Sequence, residues 1–170
     1  MKVALSGTPG TGKTAISTLL SERYGVRILD LHGVIRTYEY YAGWDKDRSC
    51  SIVDLIALKA HPFPDGVVLE GHLSHHLAVD RVIVLRTNPV VLRKRLYQKG
   101  FSNEKVEENV QAEILDVVLI EALAANDDKV YELESTGALD KSAQLAWEII
   151  QGQALERFVP GRFDWMGYLE

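Results

Sequence analysis

The chain has 170 residues, enough for one globular domain with a sizeable core. Acidic residues outnumber basic ones by 24 to 19, and the resulting net charge of −5 disfavours broad non-specific binding to nucleic acid. The single cysteine, Cys50, excludes an intramolecular disulfide and a multi-cysteine metal site. This cysteine usage leads us to expect a reducing, intracellular location. No apolar signal region follows Lys2 and no apolar run is long enough to span a membrane, so we expect neither a signal peptide nor a membrane span.

The hydrophobic pattern predicts strands that alternate with helices. Short apolar runs predict five strands, at residues 3–5, 26–29, 67–71, 81–86 and 129–133. Helical spacing predicts a helix that contains Ile16 and Leu20, followed by helices at about 31–42, 52–60, 89–99, 104–125 and 139–151. The polar segment 43–49 is predicted to be a loop. The alternation indicates an α/β fold with a parallel sheet and right-handed crossovers.

The strongest motif lies near the start, where residues 7–14 match the phosphate-binding pattern G-x-x-x-x-G-K-S/T at every required position. Its glycines let the backbone turn N–H groups inward toward phosphate oxygens. Lys13 adds a positive charge for the β- and γ-phosphates, and the Thr14 hydroxyl can bind Mg²⁺. The motif therefore predicts that ATP or a related triphosphate contacts Gly7, Pro9, Gly10, Thr11, Gly12, Lys13 and Thr14.

Carboxylates follow two of the predicted strands. Glu70 or Asp30 could supply the acidic group that a phosphate-loop enzyme needs near Mg²⁺, although either could instead cap the next turn. His72 could position water or contact a phosphate, but a lone histidine is more often a surface or core residue. The spacing of His72, His75 and His76 matches no zinc motif.

Several arginines are candidates for binding phosphate. Phosphoryl transfer between two nucleotides requires cations that offset the charge of donor and acceptor, and the arginine fork binds phosphate oxygens in pairs. Their positions near the predicted open end of the fold favour Arg36 and Arg95 over Arg93. The alternative for each is a solvated helix face.

Several stretches of the chain resemble the adenylate kinase isoenzyme six family, also described as coilin-interacting nuclear ATPase and present in archaea. The loop at 7–14 is typical of small adenylate kinase-like NTPases, and residues 108–114 are an especially specific stretch. The other similar stretches are 30–36, 66–72, 82–89 and 95–105, so that the resemblance covers about residues 1–151.

This resemblance implies a P-loop nucleoside monophosphate kinase fold with a five-stranded parallel sheet in a domain at 1–151. It implies a monophosphate-binding segment at about 31–60 and a small lid at about 96–107. The implied catalytic residues are Lys13, Arg36, Glu70, His72 and Arg95; Asp30 and Arg36 would bind AMP, and Thr136 would lie against the adenine of ATP. The resemblance does not extend to the aromatic tail at 152–170, and we expect this tail to pack on this chain or on a partner.

The resemblance further implies adenylate kinase activity, a Mg²⁺-dependent phosphoryl transfer from ATP to AMP that yields two ADP, accompanied by ATPase activity. One alternative is an ATP-driven assembly factor for the small ribosomal subunit that binds a ribosomal protein or pre-rRNA and assists rRNA processing. Another is a kinase for a different nucleotide or another small acceptor. We expect a cytoplasmic protein, or a nuclear one if the source is a eukaryote, with no membrane partner.

Overall fold

The computed structural model describes residues 1–46 and 50–169. Its strands are β1 (Lys2–Gly7), β2 (Arg27–Asp30), β3 (Tyr41–Asp45), β4 (Cys50–Val53), β5 (Val67–Glu70), β6 (Arg81–Arg86) and β7 (Val130–Glu134). Its α-helices are α1 (Lys13–Tyr24), α2 (Leu31–Thr37), α3 (Leu55–Ala60), α4 (Pro89–Gln98), α5 (Asn103–Ile114), α6 (Val117–Asn126) and α7 (Leu139–Gln151). Short 3₁₀ helices cover Ser74–His76, Asp127–Lys129, Leu155–Phe158 and Met166–Tyr168.

Strand β1 lies in the middle of a five-stranded sheet with the order β2-β5-β1-β6-β7. All neighbouring strands in this sheet are parallel, which confirms the predicted parallel sheet with flanking helices. The chain passes from β1 to β2 on one side and later to β6 on the other, so the strand order reverses at β1. In open α/β sheets, ligands bind in the crevice outside the carboxyl ends of the strands at such a point.

Helices cover both faces of the sheet, because alternate residues of each strand point to opposite faces. In β1, Val3 and Leu5 pack in the layer that contains α1 and α7, whereas Ala4 packs in the layer that contains α2, α3 and α6. A third apolar cluster joins α4 to α5 and consists of Leu92, Leu96, Val106, Val110 and Ile114. The core therefore holds β1 from both faces and fixes the start of the loop that follows it.

Three boundaries between residues 31 and 60 were predicted wrongly. Helix α2 ends at Thr37 rather than near residue 42, and Glu39 adopts a positive φ of 54° soon afterwards. Part of the predicted loop at 43–49 belongs to β3, which pairs with β4, while residues 47–49 lie outside the described residues. The predicted helix at 52–60 begins only at Leu55, because the Asp54 side chain caps it by accepting hydrogen bonds from the N–H groups of Ile56 and Ala57.

The predicted helix at 104–125 is two helices, α5 and α6. Asp116 lies between them in the left-handed region, with a φ of 56°, and its carboxylate accepts a hydrogen bond from the Arg86 guanidinium. The apolar stripe continues across this break, with Val110 buried before it and Leu119 and Ala122 buried after it. Hydrophobic periodicity alone therefore could not locate the break.

The aromatic tail packs on this chain, which was one of the two expected outcomes. Phe158 is buried in the layer of α1 and α7, and Trp165 packs against the apolar cluster of α4 and α5. The Glu132 carboxylate accepts hydrogen bonds from the N–H groups of Gly161 and Arg162, at 2.7 and 2.9 Å. Within the described ranges, no helix has the length and apolar character needed to cross a membrane.

Candidate active site

The phosphate-binding loop connects β1 to α1 and depends on glycine at a close approach. Gly10 has a φ of 93°, and a Cβ atom there would lie 2.9 Å from Leu92 Cδ1. Gly12 caps the N-terminus of α1 without a side-chain hydrogen bond. Gly12 has no side chain that could accept a hydrogen bond from the first N–H groups of α1. A helix N-terminus of this kind favours a bound anion.

Lys13 is folded back over this loop. Its ammonium donates hydrogen bonds to the carbonyl oxygens of Gly7 at 2.7 Å and Thr8 at 3.0 Å. Burial lowers the pKa of Lys13 to about 8, while the carboxylate of Glu70 acts in the opposite direction. A polyphosphate in the loop would supply the negative charge that stabilises this ammonium.

The two candidate carboxylates lie side by side at the ends of β5 and β2, where Glu70 is in register with Asp30. The Thr14 hydroxyl lies 3.5 Å from Glu70 Oε1, and burial raises the pKa of Glu70. Asp30 instead caps α2, since it accepts hydrogen bonds from the N–H groups of His32 at 3.0 Å and Gly33 at 3.1 Å. The hydroxyl and carboxylate oxygens of Thr14 and Glu70 are the hard donors that Mg²⁺ prefers, so these residues fit a Mg²⁺ ion.

Arg95 on α4 contributes to the wall of a cavity of about 500 Å³ that Lys13 and Thr14 also line. Its Nη2 donates to the carbonyl oxygens of Ser135 at 2.9 Å and Thr136 at 3.3 Å. Its Nη1 is buried and has no hydrogen-bond acceptor within residues 1–46 and 50–169. A buried donor without an acceptor costs roughly 1–3 kcal/mol.

Thr136 lies at the loop before α7, but its side chain has a local partner. Its hydroxyl oxygen accepts a hydrogen bond from the Asn88 N–H at 3.0 Å. This contact joins the start of α4 to the loop after β7. A contact between Thr136 and adenine stays a prediction.

Gly71 and His72, which follow Glu70 in the chain, form part of the wall of a second cavity of about 340 Å³. Leu31, Ile35 and Val53 make its lining largely apolar, with Tyr41 and Ser51 as polar additions. Partial desolvation and the neighbouring charge of Lys13 lower the pKa of His72. Arg36 is exposed on α2 and is not among the described residues that line this cavity.

Comparison with known proteins identifies the family. Residues 3–116 match the sequence profile of a family described as "AAA domain". The chain is 37% identical over 172 residues to a protein of Methanocaldococcus jannaschii named "Putative adenylate kinase", covering 97% of this chain and 93% of that protein. A protein of Archaeoglobus fulgidus with the same name is 40% identical over 178 residues, covering 100% of this chain and 94% of that protein. The chain belongs to this family of archaeal adenylate kinase-like proteins.

The fold of this family member is also similar to a solved structure, shikimate kinase from Acinetobacter baumannii in complex with shikimate. The TM-score is 0.60, and the match covers 91% of this chain and 94% of that one. The sequences are 21% identical, so this likeness concerns the fold alone.

The family member holds its phosphate loop with a buried ionic network that the sequence analysis missed. Glu113 of α5 accepts hydrogen bonds from the Thr8 hydroxyl at 2.5 Å and the Thr87 N–H at 2.9 Å. Arg86 donates to Glu113 at 3.0 Å and also forms ion pairs with Asp116 and Glu132. Glu113 is only 3% exposed. The sequence does carry one signal of this network, because Glu113 is a charged residue on the same helical stripe as the apolar Val110.

Two further histidines of this family member lie next to His72 but belong to the layer of α6. His75 is 1% exposed, and burial lowers its pKa to about 4. Burial also lowers the pKa of His76, with the carboxylate of Glu121 acting in the opposite direction. The His75 imidazole is therefore neutral near pH 7.

Proposed function

We propose that the protein is an adenylate kinase that transfers the terminal phosphoryl group of ATP to AMP. The observation that carries the proposal is a cavity lined by Lys13 and Arg95 together with a second cavity lined by His72, a residue whose pKa the charge of Lys13 helps to lower. Two nucleotides bound there would present their phosphates to each other across the end of the sheet. Positioning and electrostatic stabilisation are the main needs of phosphoryl transfer, so no covalent intermediate on the protein is required.

The larger cavity would hold ATP. The loop at residues 7–14 would bind its phosphates through backbone N–H groups, as a helix N-terminus favours anions. Lys13 would exchange its carbonyl partners for the β- and γ-phosphates. The free N–H of Arg95 Nη1 would donate to a phosphate oxygen, while Nη2 keeps the side chain in place.

Thr14 and Glu70 would hold Mg²⁺, with Glu70 acting directly or through water. When bound, the ion offsets negative charge on the phosphates and orients them. Of the two carboxylates considered from the sequence, Glu70 is the better candidate because Asp30 is occupied as a helix cap.

The smaller cavity would hold AMP. Its apolar wall suits a nucleobase, and His72 lies where the cavity approaches Lys13. Arg36 remains the proposed ligand of the AMP phosphate, which requires its exposed side chain to turn toward the site when AMP binds. Asp30 would then contribute by fixing the start of the helix that carries Arg36.

The names of the archaeal relatives support a nucleotide kinase and a phosphotransferase. We further propose the isoenzyme six subgroup, a lid at about 96–107 and a slower ATPase reaction when AMP is absent. The names of these relatives mention neither a ribosomal protein nor rRNA, so the assembly-factor alternative stays a prediction.

The proposal is tested by measuring ADP and free phosphate separately, with Mg²⁺–ATP alone and with AMP added. We expect AMP to increase ADP formation strongly while little phosphate is released. CMP, UMP and shikimate in place of AMP test the acceptor, and Lys13→Ala should abolish both reactions. Equal release of ADP and phosphate, unchanged by any acceptor, would show that the protein is an ATPase rather than a kinase.

A further inference from the structure

Two histidines and a carboxylate meet on the layer of α6. His75 and His76 end the 3₁₀ helix Ser74–His76, and Glu121 lies on α6, which packs against it. We propose that these three side chains form a binding site for one divalent transition-metal ion of the Zn²⁺ class. The proposal does not depend on the kinase reaction, and the site is distinct from the pair of oxygens proposed for Mg²⁺.

The ligand atoms are already close together. Glu121 Oε2 lies 3.2 Å from His75 Nε2 and 3.8 Å from His76 Nε2, and the three potential ligand atoms lie within 4.8 Å of one another. Zinc bonds to histidine nitrogen and carboxylate oxygen of about 2.0–2.2 Å place neighbouring ligands of a tetrahedral site roughly 3.4 Å apart. Two of the three separations between ligand atoms are therefore already close to the spacing that a tetrahedral ion requires.

The buried histidine is oriented by a second residue, as metal-binding histidines usually are. His75 Nδ1 lies 2.7 Å from Ser6 Oγ, and that hydroxyl also lies within donor distance of the His72 carbonyl oxygen, at 3.3 Å. When Ser6 donates to His72, it accepts the Nδ1 proton of His75. In this tautomer the lone pair of His75 Nε2 faces the Glu121 carboxylate, whereas in the other tautomer Nε2 donates a hydrogen bond to Glu121 Oε2 at 3.2 Å. A metal ion between these two atoms would take the place of that proton.

The ligand atoms and their access to water indicate the class of metal. Two imidazole nitrogens and one carboxylate oxygen are a ligand set found at zinc sites that keep a position open for water. Glu121 is 47% exposed, so water can reach the open position. The charge of Lys59 opposes protonation of His76, and the same charge opposes a bound cation. Replacing Lys59 with Gln should therefore strengthen metal binding.

The test uses the full chain without a histidine tag. Zn²⁺ binding is measured by calorimetry, and Co²⁺ replaces Zn²⁺ to give an absorption spectrum that reports nitrogen and oxygen ligands. We expect one ion per chain. His76→Ala and Glu121→Gln, both at partly exposed positions, should each weaken binding at least about tenfold, and Ser6→Ala should weaken it by about 10- to 100-fold.

Two controls separate this site from others. Thr14→Ala removes a proposed Mg²⁺ ligand and should leave Zn²⁺ affinity unchanged, and so should Glu104→Gln at an exposed position of α5. Circular dichroism verifies that each variant is folded. The proposal is overturned if the unmodified chain binds neither ion, or if folded His76→Ala and Glu121→Gln proteins bind Zn²⁺ as tightly as the unmodified chain.

Discussion

Among single residues, Lys13 combines a place in the phosphate-binding loop with a pKa that the fold lowers. Its pKa is lowered to about 8 because burial removes water from the ammonium. A bound polyphosphate raises that pKa again, so the complex holds more protons than the free protein above pH 8. Binding must then weaken as the pH rises.

We therefore predict that ATP affinity is constant below about pH 8 and falls above it, by up to about tenfold per pH unit. Calorimetry between about pH 7 and pH 9, in two buffers with different ionisation enthalpies, measures both the affinity and the proton uptake. An affinity that is independent of pH across this range, without proton uptake, contradicts the role given to Lys13.

Arg95 tests the importance of the guanidinium fork. Arg95→Lys keeps the charge but cannot bind Ser135 and a ligand oxygen with two separate groups. We expect kcat to fall about a hundredfold, the loss typical when one preorganised donor is removed. Arg93→Lys is the matched control on the same helix, because Arg93 donates to Glu107 rather than into the cavity. Similar losses in both variants would indicate a general effect on α4.

The buried network predicts an asymmetry between its members. Arg86 faces Glu113, Asp116 and Glu132, so Arg86→Met leaves three carboxylates without their counter-ion. We expect this change to lower the free energy of unfolding by about 3–5 kcal/mol. Glu113→Gln leaves Arg86 paired with two carboxylates and should cost only about 1–3 kcal/mol. Urea unfolding measures both, and the reverse order would refute this charge balance.

Among the helices and strands, the sequence pattern predicted best those whose apolar residues are buried in the core. Both ends of β6 and α7 match the prediction, since β6 is an apolar run inside the sheet and α7 stops at Gly152 in the left-handed region. Strand β3 could not be found in this way, because its first four residues are exposed and it exists through pairing with β4. A pattern of apolar residues cannot predict a strand that is exposed and is defined only by its backbone hydrogen bonds to a partner strand.

The tail is an element whose docking can be tested. Trp165 packs against the cluster of α4 and α5, and two members of that cluster, Leu92 and Leu96, lie beside Gly10. Trp165→Ala should lower the free energy of unfolding by about 1–3 kcal/mol, whereas the exposed neighbour Met166→Ala should change it by no more than about 0.5 kcal/mol. Equal effects in thermal or urea unfolding would mean that the tail is not docked through Trp165.

At the scale of the whole molecule, the chain assembles its candidate site from segments distant in sequence. The phosphate loop could be located from its motif and Glu70 from its place after a predicted strand, whereas Arg95 was favoured only for its position near the predicted open end of the fold. The roles given to these residues stay predictions. The support given by Glu113 to Thr8 could not be predicted, since 105 residues separate them and only the fold brings them together. The exposed position of Arg36 likewise depends on where α2 lies after its Asp30 cap.

The proposed adenylate kinase reaction requires two nucleotides to bind with their phosphates near Lys13 and Glu70. The most direct test is a crystal structure with a bisubstrate compound in which two adenosines are joined by a chain of phosphates. We predict one adenosine in the cavity beside Arg95, the other beside Leu31 and His72, and the phosphates over Lys13. A structure in which only one adenosine is bound, and the cavity beside His72 contains solvent, would contradict the proposed binding of two nucleotides.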